Sequence, residues 1–471
     1  DVNDTWGNSP FGNDQGKIDD LWHAAFNSAG EYVSAQTPQE VVSSLTSALS
    51  EISSRDAASA SVATSTGQIS AATAVYQAQF NSGDWSGRLY SFALNDDDSV
   101  DVENPNWQAG TLLDAQDFDS QRTVITNNGS RGVKFRFPSS YLSPTVSEIS
   151  SGQLPALLAD SPNDLTTADT SEITENQEYG EAFVNYLRGD RSNEGVSNGE
   201  FRPRSSVLGD IVDSDPKYVS KPNFYYPDSL ETASYAAFRS TYLNRTPVVY
   251  VGSNGGMLHG FNAENGQELF SYVPSAVFKN LHVLTNPAYS HKFFVNGAPT
   301  IVDAFYSGSW HTVLAGALGR GGQSIFALDV TNPAQFDESN ADSLFLWEFD
   351  DSDDADLGYT FSEPSIAKME DGRWVAIFGN GYNNTEADGN ASTTGHAVLY
   401  IVDVGTGALI KKIDTGIGSI ATPNGLATPA LVDVNNDYIV DYVYAGDLYG
   451  NMWKFDVTSS NPVSWDVAWV N

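Results

Sequence analysis

Val248-Val-Tyr-Val-Gly252-Ser-Asn-Gly-Gly-Met-Leu-His-Gly-Phe-Asn262 is an apolar run closed by a glycine, then a Gly-rich turn, then a second apolar run. A stretch of that kind forms two strands joined by a tight turn, because β-branched and aromatic residues suit a pleated surface and glycine suits the reversal between them. The pattern returns as Val313-Leu-Ala-Gly316 leading to Ile325-Phe-Ala-Leu-Asp329, as Ala376-Ile-Phe-Gly379 leading to Leu399-Tyr-Ile-Val-Asp403, and as Val443-Tyr-Ala-Gly446 leading to Met452-Trp-Lys-Phe-Asp456. The four glycines fall 64, 63 and 67 residues apart, which marks an internal repeat. Each unit also opens on a proline and an apolar run: Pro247, Pro299-Thr-Ile-Val-Asp303, Pro364-Ser-Ile and Pro429-Ala-Leu-Val-Asp433. A unit holds about four strands, the content of one propeller blade. One blade cannot bury both of its faces, so the repeats must share a core. The expected class is mainly β, a β-propeller.

Upstream of the regular units, Tyr76–Phe80, Trp85, Leu89–Leu94, Val124-Ile125 and Gly132–Phe137 read as one further, irregular blade. An acidic Ser/Thr/Asn-rich insertion follows from about 147 to 198, with a short helix around Glu181–Leu187; loops of such length are functional or mobile. Residues 1–56 carry two helical patterns. One is Ile18–Phe26. The other runs from Thr37 to Ile52, with Thr37 as N-cap, Pro38 in the first turn, Glu40 closing a capping box, and Val41, Val42, Leu45, Leu49 and Ile52 on one stripe. These helices need a partner sheet and none precedes them, so 1–56 is expected to be the helical end of an upstream α/β domain, with 57–471 the propeller. The Ser/Ala-rich stretch from Arg55 to Ser65 reads as a linker or crossover. The chain opens on Asp and its last strand-like pattern runs to Asn471, so it reads as a piece of a longer protein.

Composition narrows the partners. Sixty Asp and Glu against 23 Lys and Arg give a net charge of −37, the opposite of the basic footprint that nucleic-acid binding requires. Without cysteine there are no disulfides, thiol nucleophiles or Cys-ligated zinc. The six histidines, His23, His259, His282, His291, His311 and His396, show no metal-ligand spacing and read as structural or surface residues. No apolar run approaches the roughly 18 residues of a membrane helix, so an integral membrane protein is not expected.

One segment has the spacing of a metal site. Asp433-Val-Asn435-Asn-Asp437-Tyr-Ile439-Val-Asp441 places side-chain oxygens at loop positions one, three, five and nine, with the Ile439 carbonyl at seven, as a calcium loop does. It departs from an EF-hand at position six, where Tyr438 replaces the turn glycine, and at position twelve, which is Tyr444. The alternative is an Asp/Asn-rich turn bonding its own backbone. Two further segments invite functional readings. Arg188-Gly189-Asp190 is an integrin-type tripeptide if displayed on a turn, against plain Arg–Asp pairing. Asp350–Asp356 is a second acidic run without a ligand period, and reads as a solvated loop.

Together with the calcium loop and Tyr444–Asp456, the strings Tyr250–Phe261, Leu187-Arg-Gly-Asp-Arg191, Leu208-Gly-Asp210, Ser214-Asp-Pro216 and Gly379-Asn-Gly-Tyr382 closely resemble PilY-type biogenesis factors and tip-associated adhesins of bacterial type IV pili, over most of residues 18–469. The resemblance implies a modified propeller of the quinoprotein-dehydrogenase shape, following a von Willebrand factor A-like region whose helical end would be 1–56, and incomplete in this chain. It implies calcium on Asp433, Asn435, Asp437, Asp441 and the Ile439 carbonyl. It further implies a non-enzymatic role at the pilus tip on the cell surface, with minor pilins as partners and host-cell receptors as adhesion targets, the calcium-bound form favouring pilus extension and the calcium-free form retraction. Two rivals stand beside it: a quinone-dependent dehydrogenase, and a generic calcium-stabilised surface-binding propeller. The cysteine pair common beside that quinone has no counterpart here.

Overall fold

The computed structural model describes residues 56–64, 74–95, 99–195 and 201–470. Contacts divide the chain into two compact units, Asp1–Arg55 and Asp56–Asn471. The helical patterns at 18–26 and 37–52 lie outside the described residues, as does the von Willebrand-type assignment that rests on them.

Among the described residues the second unit carries five sheets. In the first, β1 (Asp56–Thr64), β2 (Ala74–Asn81), β3 (Ser86–Ala93) and β4 (Trp107–Gln108) run in chain order. The second comprises β5 (Val124–Asn127), β6 (Gly132–Lys134), β7 (Lys217–Val219), β8 (Val248–Ser253), β9 (Met257–Asn262) and β10 (Glu268–Tyr272), ordered β6-β5-β10-β9-β8-β7. The third is a meander of β11 (Thr300–Tyr306), β12 (Ser309–Ala317), β13 (Ser324–Asp329) and β14 (Phe345–Asp350). Strands β15 (Ser365–Met369), β16 (Trp374–Gly379), β17 (His396–Asp403) and β18 (Leu409–Gly418) make the fourth, and β19 (Ala430–Val432), β21 (Tyr442–Gly446), β22 (Met452–Asp456) and β23 (Asp466–Val470) the fifth. The intervening β20 (Ile439–Val440) leaves the fifth sheet and pairs in parallel with β15 in the fourth.

The repeating glycines 252, 316, 379 and 446 all sit on the second strand of their four-stranded meanders, which is the repeat expected from their spacing. Alternation then directs successive side chains to opposite faces, and each core lies between consecutive sheets. Val249 and Val251 pack toward the first sheet with Tyr76 and Leu89, whereas Val248 and Tyr250 face the third sheet with Leu314 and Phe326. Ile325 and Ala327 meet Ala376 and Phe378; Ile377 and Leu399 meet Val443 and Phe455. The stacking brings backbones close at the strand ends. A Cβ on Gly252 would stand 2.4 Å from the Val295 carbonyl oxygen, and one on Gly379 2.5 Å from that of Leu426, whereas at Gly446 the nearest atom is 3.9 Å away. Gly252→Ala and Gly379→Ala are therefore expected to lose about 1–3 kcal/mol each in urea unfolding, and Gly446→Ala to stay within about 0.5 kcal/mol of the parent. Equal effects at all three positions would disprove the close-approach account.

Three expectations need correction. The stretch taken for a linker is β1, an antiparallel partner of β2. Val124–Asn127 and Gly132–Lys134 do not complete the irregular first blade: β5 lies parallel to β10 in the second sheet, at Val124↔Ser271 and Ile125↔Tyr272. The insertion holds a helix far longer than Glu181–Leu187, from Thr170 to Arg188. Its buried Phe183, Val184, Tyr186 and Leu187 join the core between the second and third sheets.

Candidate metal centre

The segment 433–441 leaves β19, turns, and re-enters regular structure as β20. Within the turn, side-chain oxygens gather backbone N–H groups. Asp433 Oδ1 accepts from Asn436 N at 2.7 Å, and its Oδ2 accepts from Tyr438 N at 2.8 Å. Asn435 Oδ1 accepts from Asp437 N and Asp437 Oδ1 from Ile439 N, both at 2.9 Å. Asp441 Oδ2 closes the loop by accepting from Val434 N at 2.7 Å. The backbone is left-handed at Asn436 (φ 61°) and at Tyr438 (φ 70°). Asn tolerates that region; a bulky residue there is strained by about 1–2 kcal/mol, and position six of a calcium loop is where glycine relieves the same turn. Tyr438 meets Tyr226 edge-on, ring centroids 5.6 Å apart, and Tyr226 in turn stacks on Trp310 at 5.3 Å.

The donor set, three carboxylates and an amide oxygen spaced by alternate residues, has the chemistry of a hard divalent cation site. Among the described residues no group of three or more His, Cys, Asp or Glu side chains stands arranged to hold a metal ion; in this loop the carboxylates hold backbone N–H groups. The fold does bring all four side chains onto one nine-residue turn, at the seam where β20 crosses to the neighbouring sheet.

The tripeptide is not displayed as the adhesive reading requires. Arg188 is the last residue of the Thr170–Arg188 helix and fully buried. Its guanidinium donates to Glu338 Oε1 at 2.7 Å and to the carbonyls of Phe118 and Phe135. Gly189 is the left-handed C-cap (φ 119°), and Asp190 accepts from Ser192 N. Arg–Asp pairing is not what occupies them either. Leu-Arg-Gly here is a helix end, since glycine relieves the strain of the left-handed cap. In the acidic run, Lys412 Nζ lies 2.7 Å from Asp354 and 2.6 Å from Asp356, so this part is an ion-paired turn rather than a solvated loop.

The buried cluster of the second sheet went unforeseen as a unit. Glu268 Oε2 accepts from Arg122 Nε at 2.6 Å, its Oε1 bonds His259 Nδ1 at 2.7 Å, and His259 Nε2 meets Ser253 Oγ at 3.0 Å. His259 is thus a satisfied core residue, as its lone spacing suggested; burial lowers its pKa despite the carboxylate. Ser253 and His259 are 1% and 2% exposed, so this Ser–His–Glu line is enclosed and holds strands together. No local motif announces it, because Arg122 comes from a separate segment. His291, His311 and His396 each bond a carboxylate as well. His23 lies outside the described residues.

The sheets share their cores face to face as propeller blades do, and the 433–441 turn lies at the seam between the fourth and the fifth. The profile of the PilY1 beta-propeller domain matches residues 208–469, and the chain belongs to the family of PilY1 type IV pilus biogenesis factors. It is 38% identical over 460 residues to the type IV pilus biogenesis factor PilY1 of Pseudomonas aeruginosa strain PAO1, covering 94% of this chain and 36% of that protein. A PilY1 homolog of Xylella fastidiosa is 34% identical over 501 residues, covering 98% of this chain and 32% of its own. The chain thus spans about a third of the length of these curated relatives. The crystal structure of the Pseudomonas aeruginosa PilY1 C-terminal domain matches 54% of this chain and 51% of its own at 37% identity, with a TM-score of 0.45. No helix among the described residues is long and apolar enough to cross a membrane.

Proposed function

We propose that this chain is the calcium-responsive propeller of a type IV pilus biogenesis and adhesion factor, acting without catalysis at the pilus tip on the bacterial surface and engaging minor pilins and host-cell receptors. Family membership supports the pilus assignment over a quinone dehydrogenase. The observation that carries the calcium reading is the 433–441 turn, whose side-chain oxygens recur at ligand spacing around a left-handed position six. Asp433, Asn435, Asp437, Asp441 and the Ile439 carbonyl would hold the ion. Three carboxylates overcompensate a divalent charge by one, so the empty loop is self-repelling and filling it orders the turn. Pilus extension would follow the filled state and retraction the empty one.

Calorimetric titration of this chain tests the site. One calcium is expected with a dissociation constant on the order of 10⁻⁵ to 10⁻³ M, because five protein ligands fall short of a full EF-hand set. Filling fixes residue 438 in the left-handed region, so Tyr438→Gly is expected to tighten binding, and Asp437→Ala to weaken it. At about a hundredfold excess over the dissociation constant, calcium adds roughly 2.7 kcal/mol to folding stability. No heat, or an affinity indifferent to Asp437→Ala, excludes the assignment.

A further inference from the structure

Residues 222–242 form a strap that touches both the third and the fourth sheet and ends in the short helix Tyr235–Thr241. It is pinned to each. On the third sheet, Tyr235 Oη donates to Asp303 Oδ2 at 2.6 Å and Trp310 Nε1 donates to the Ala233 carbonyl at 2.8 Å. On the fourth, Trp374 Nε1 donates to Glu231 Oε1 at 2.8 Å, and Lys368 Nζ reaches that carboxylate and, at 2.7 Å, the Leu230 carbonyl. Tyr226 is the centre of the strap. It stacks on Trp310 at 5.3 Å and stands edge-on to Trp374 at 5.4 Å and to Tyr235 at 5.1 Å. Beside it the tip is open to solvent: Phe224 is 40% exposed, and Tyr225 is 64% exposed with a left-handed backbone at φ 58°.

Two contacts join this strap to the 433–441 turn. Tyr438, at position six, meets the Tyr226 ring edge-on at 5.6 Å. Ile439, at position seven, pairs with Lys368, the residue whose ammonium holds Glu231 and Leu230. Consecutive positions of the turn thus each lead to the strap, one directly and one through a single residue. The first contact depends on the backbone. Returning residue 438 from φ 70° to an ordinary extended or helical conformation redirects its Cβ and carries the ring away from Tyr226.

We infer that the strap is the responding element of the turn: ordering of 433–441 seats residues 222–242 on the third and fourth sheets, and loosening of the turn frees the strap with its Phe224–Tyr225 tip. The inference takes its input, calcium, from the function proposed above. A contact made in one state of the turn and lost in the other is the differential interaction that such a response requires. Coupling is reciprocal, so Tyr226 is also a positioning residue for the cation, although it touches none of the ligand oxygens.

Hydrogen exchange of peptides within 222–242 tests it, read by mass spectrometry in chelator and in saturating calcium, with calorimetry on the same samples. The Thr170–Arg188 helix serves as the control for general stabilisation. Calcium is expected to slow exchange in the strap at least threefold more than in that helix. Tyr438→Gly should still give calcium heat, yet lose the excess protection of the strap, because glycine has no ring to set against Tyr226. Tyr226→Leu should weaken calcium binding at least threefold; Tyr438, 44% exposed, carries the comparison if that variant does not fold. Calcium heat with a strap that responds no more than the helix, or parental affinity in Tyr226→Leu, overturns the coupling and leaves the cation site standing. Absence of calcium heat overturns the cation site instead. The coupling is then decided in chelator alone, where Tyr438→Gly must speed exchange in the strap at least threefold, and exchange equal to the parent overturns it.

Discussion

Glu268→Ala is expected to destabilise the fold by about 3–5 kcal/mol, because it strands a buried guanidinium without its counter-charge. Arg122 reaches Glu268 with both Nε and Nη2, at 2.6 and 2.9 Å, and its side chain is 1% exposed. Arg122 also donates to the Arg188 carbonyl, so the loss spreads to the helix that packs on the second and third sheets. Replacing both partners with apolar residues, Arg122→Met with Glu268→Leu, removes the desolvation cost together with the attraction and should recover most of the loss. Urea unfolding of the two single variants and the pair closes the cycle; strict additivity would show that the two charges act independently. The pH dependence has a definite sign. Burial by itself raises the Glu268 pKa, but Arg122 and His259 pull it from 4.5 to about 2. A depressed carboxylate contributes stability that is complete above about 4.5 and drains away as pH falls through about 2. The gap between the parent and Glu268→Gln should therefore be full at pH 6 and narrow steadily below pH 4.

The second large effect is expected in the cell. In a bacterium whose own copy is replaced by a full-length factor carrying this propeller, Asp441→Ala removes one of the four proposed side-chain ligands and the carboxylate that closes the turn on Val434 N. More calcium is then needed to order the loop, and fewer surface pili should be counted. Asp441→Lys should act in the opposite sense. An ammonium beside the two remaining carboxylates permanently gives the loop the single net negative charge of the filled state, so pili should assemble yet retract poorly, and surface motility should fall at normal piliation. Wild-type pilus numbers and motility in both variants, across calcium concentrations spanning the measured affinity, would reduce the loop to a structural turn.

Much of this architecture is legible in the chain because blades are local. Each regular meander closes within about seventy residues, so its glycine, its opening proline and its alternation all lie inside one window of sequence. Legibility fails where pairing is remote. Val124 finds its parallel partner Ser271 147 residues further along the chain, and nothing near Val124 encodes that choice. β1 escaped notice because Ala and Ser have little strand preference of their own; its place comes from pairing with β2. The long helix was half visible. Its first turns, Thr170-Ser-Glu-Ile-Thr-Glu-Asn-Gln, carry one apolar residue, Ile173, and so no apolar stripe, but Asp169 accepts from Ser171 N and Glu172 N as an N-cap should. Asp169 followed three residues later by Glu172 was the available signal. The opposite end shows the reverse hazard: Arg188-Gly189-Asp190 looks like an exposed ligand in the text of the sequence, and its glycine is a helix stop. At the 433–441 turn, the spacing of four oxygen-bearing side chains was legible, while the left-handed Tyr438 and its contact with Tyr226, 212 residues earlier, emerged only with the fold.

The crossing of β20 gives the 433–441 turn a mechanical meaning. Lys368↔Ile439 and Met369↔Val440 tie the end of the turn to the edge of the fourth sheet, while Val432↔Tyr442 ties its flanks within the fifth. A load that draws these two sheets apart must break the β20 pairs, and the slack then released is the contour of the turn itself. A tightly wound turn therefore acts as a short tether and a loose one as a long tether, which makes the extensibility of this seam under tension a property of nine residues.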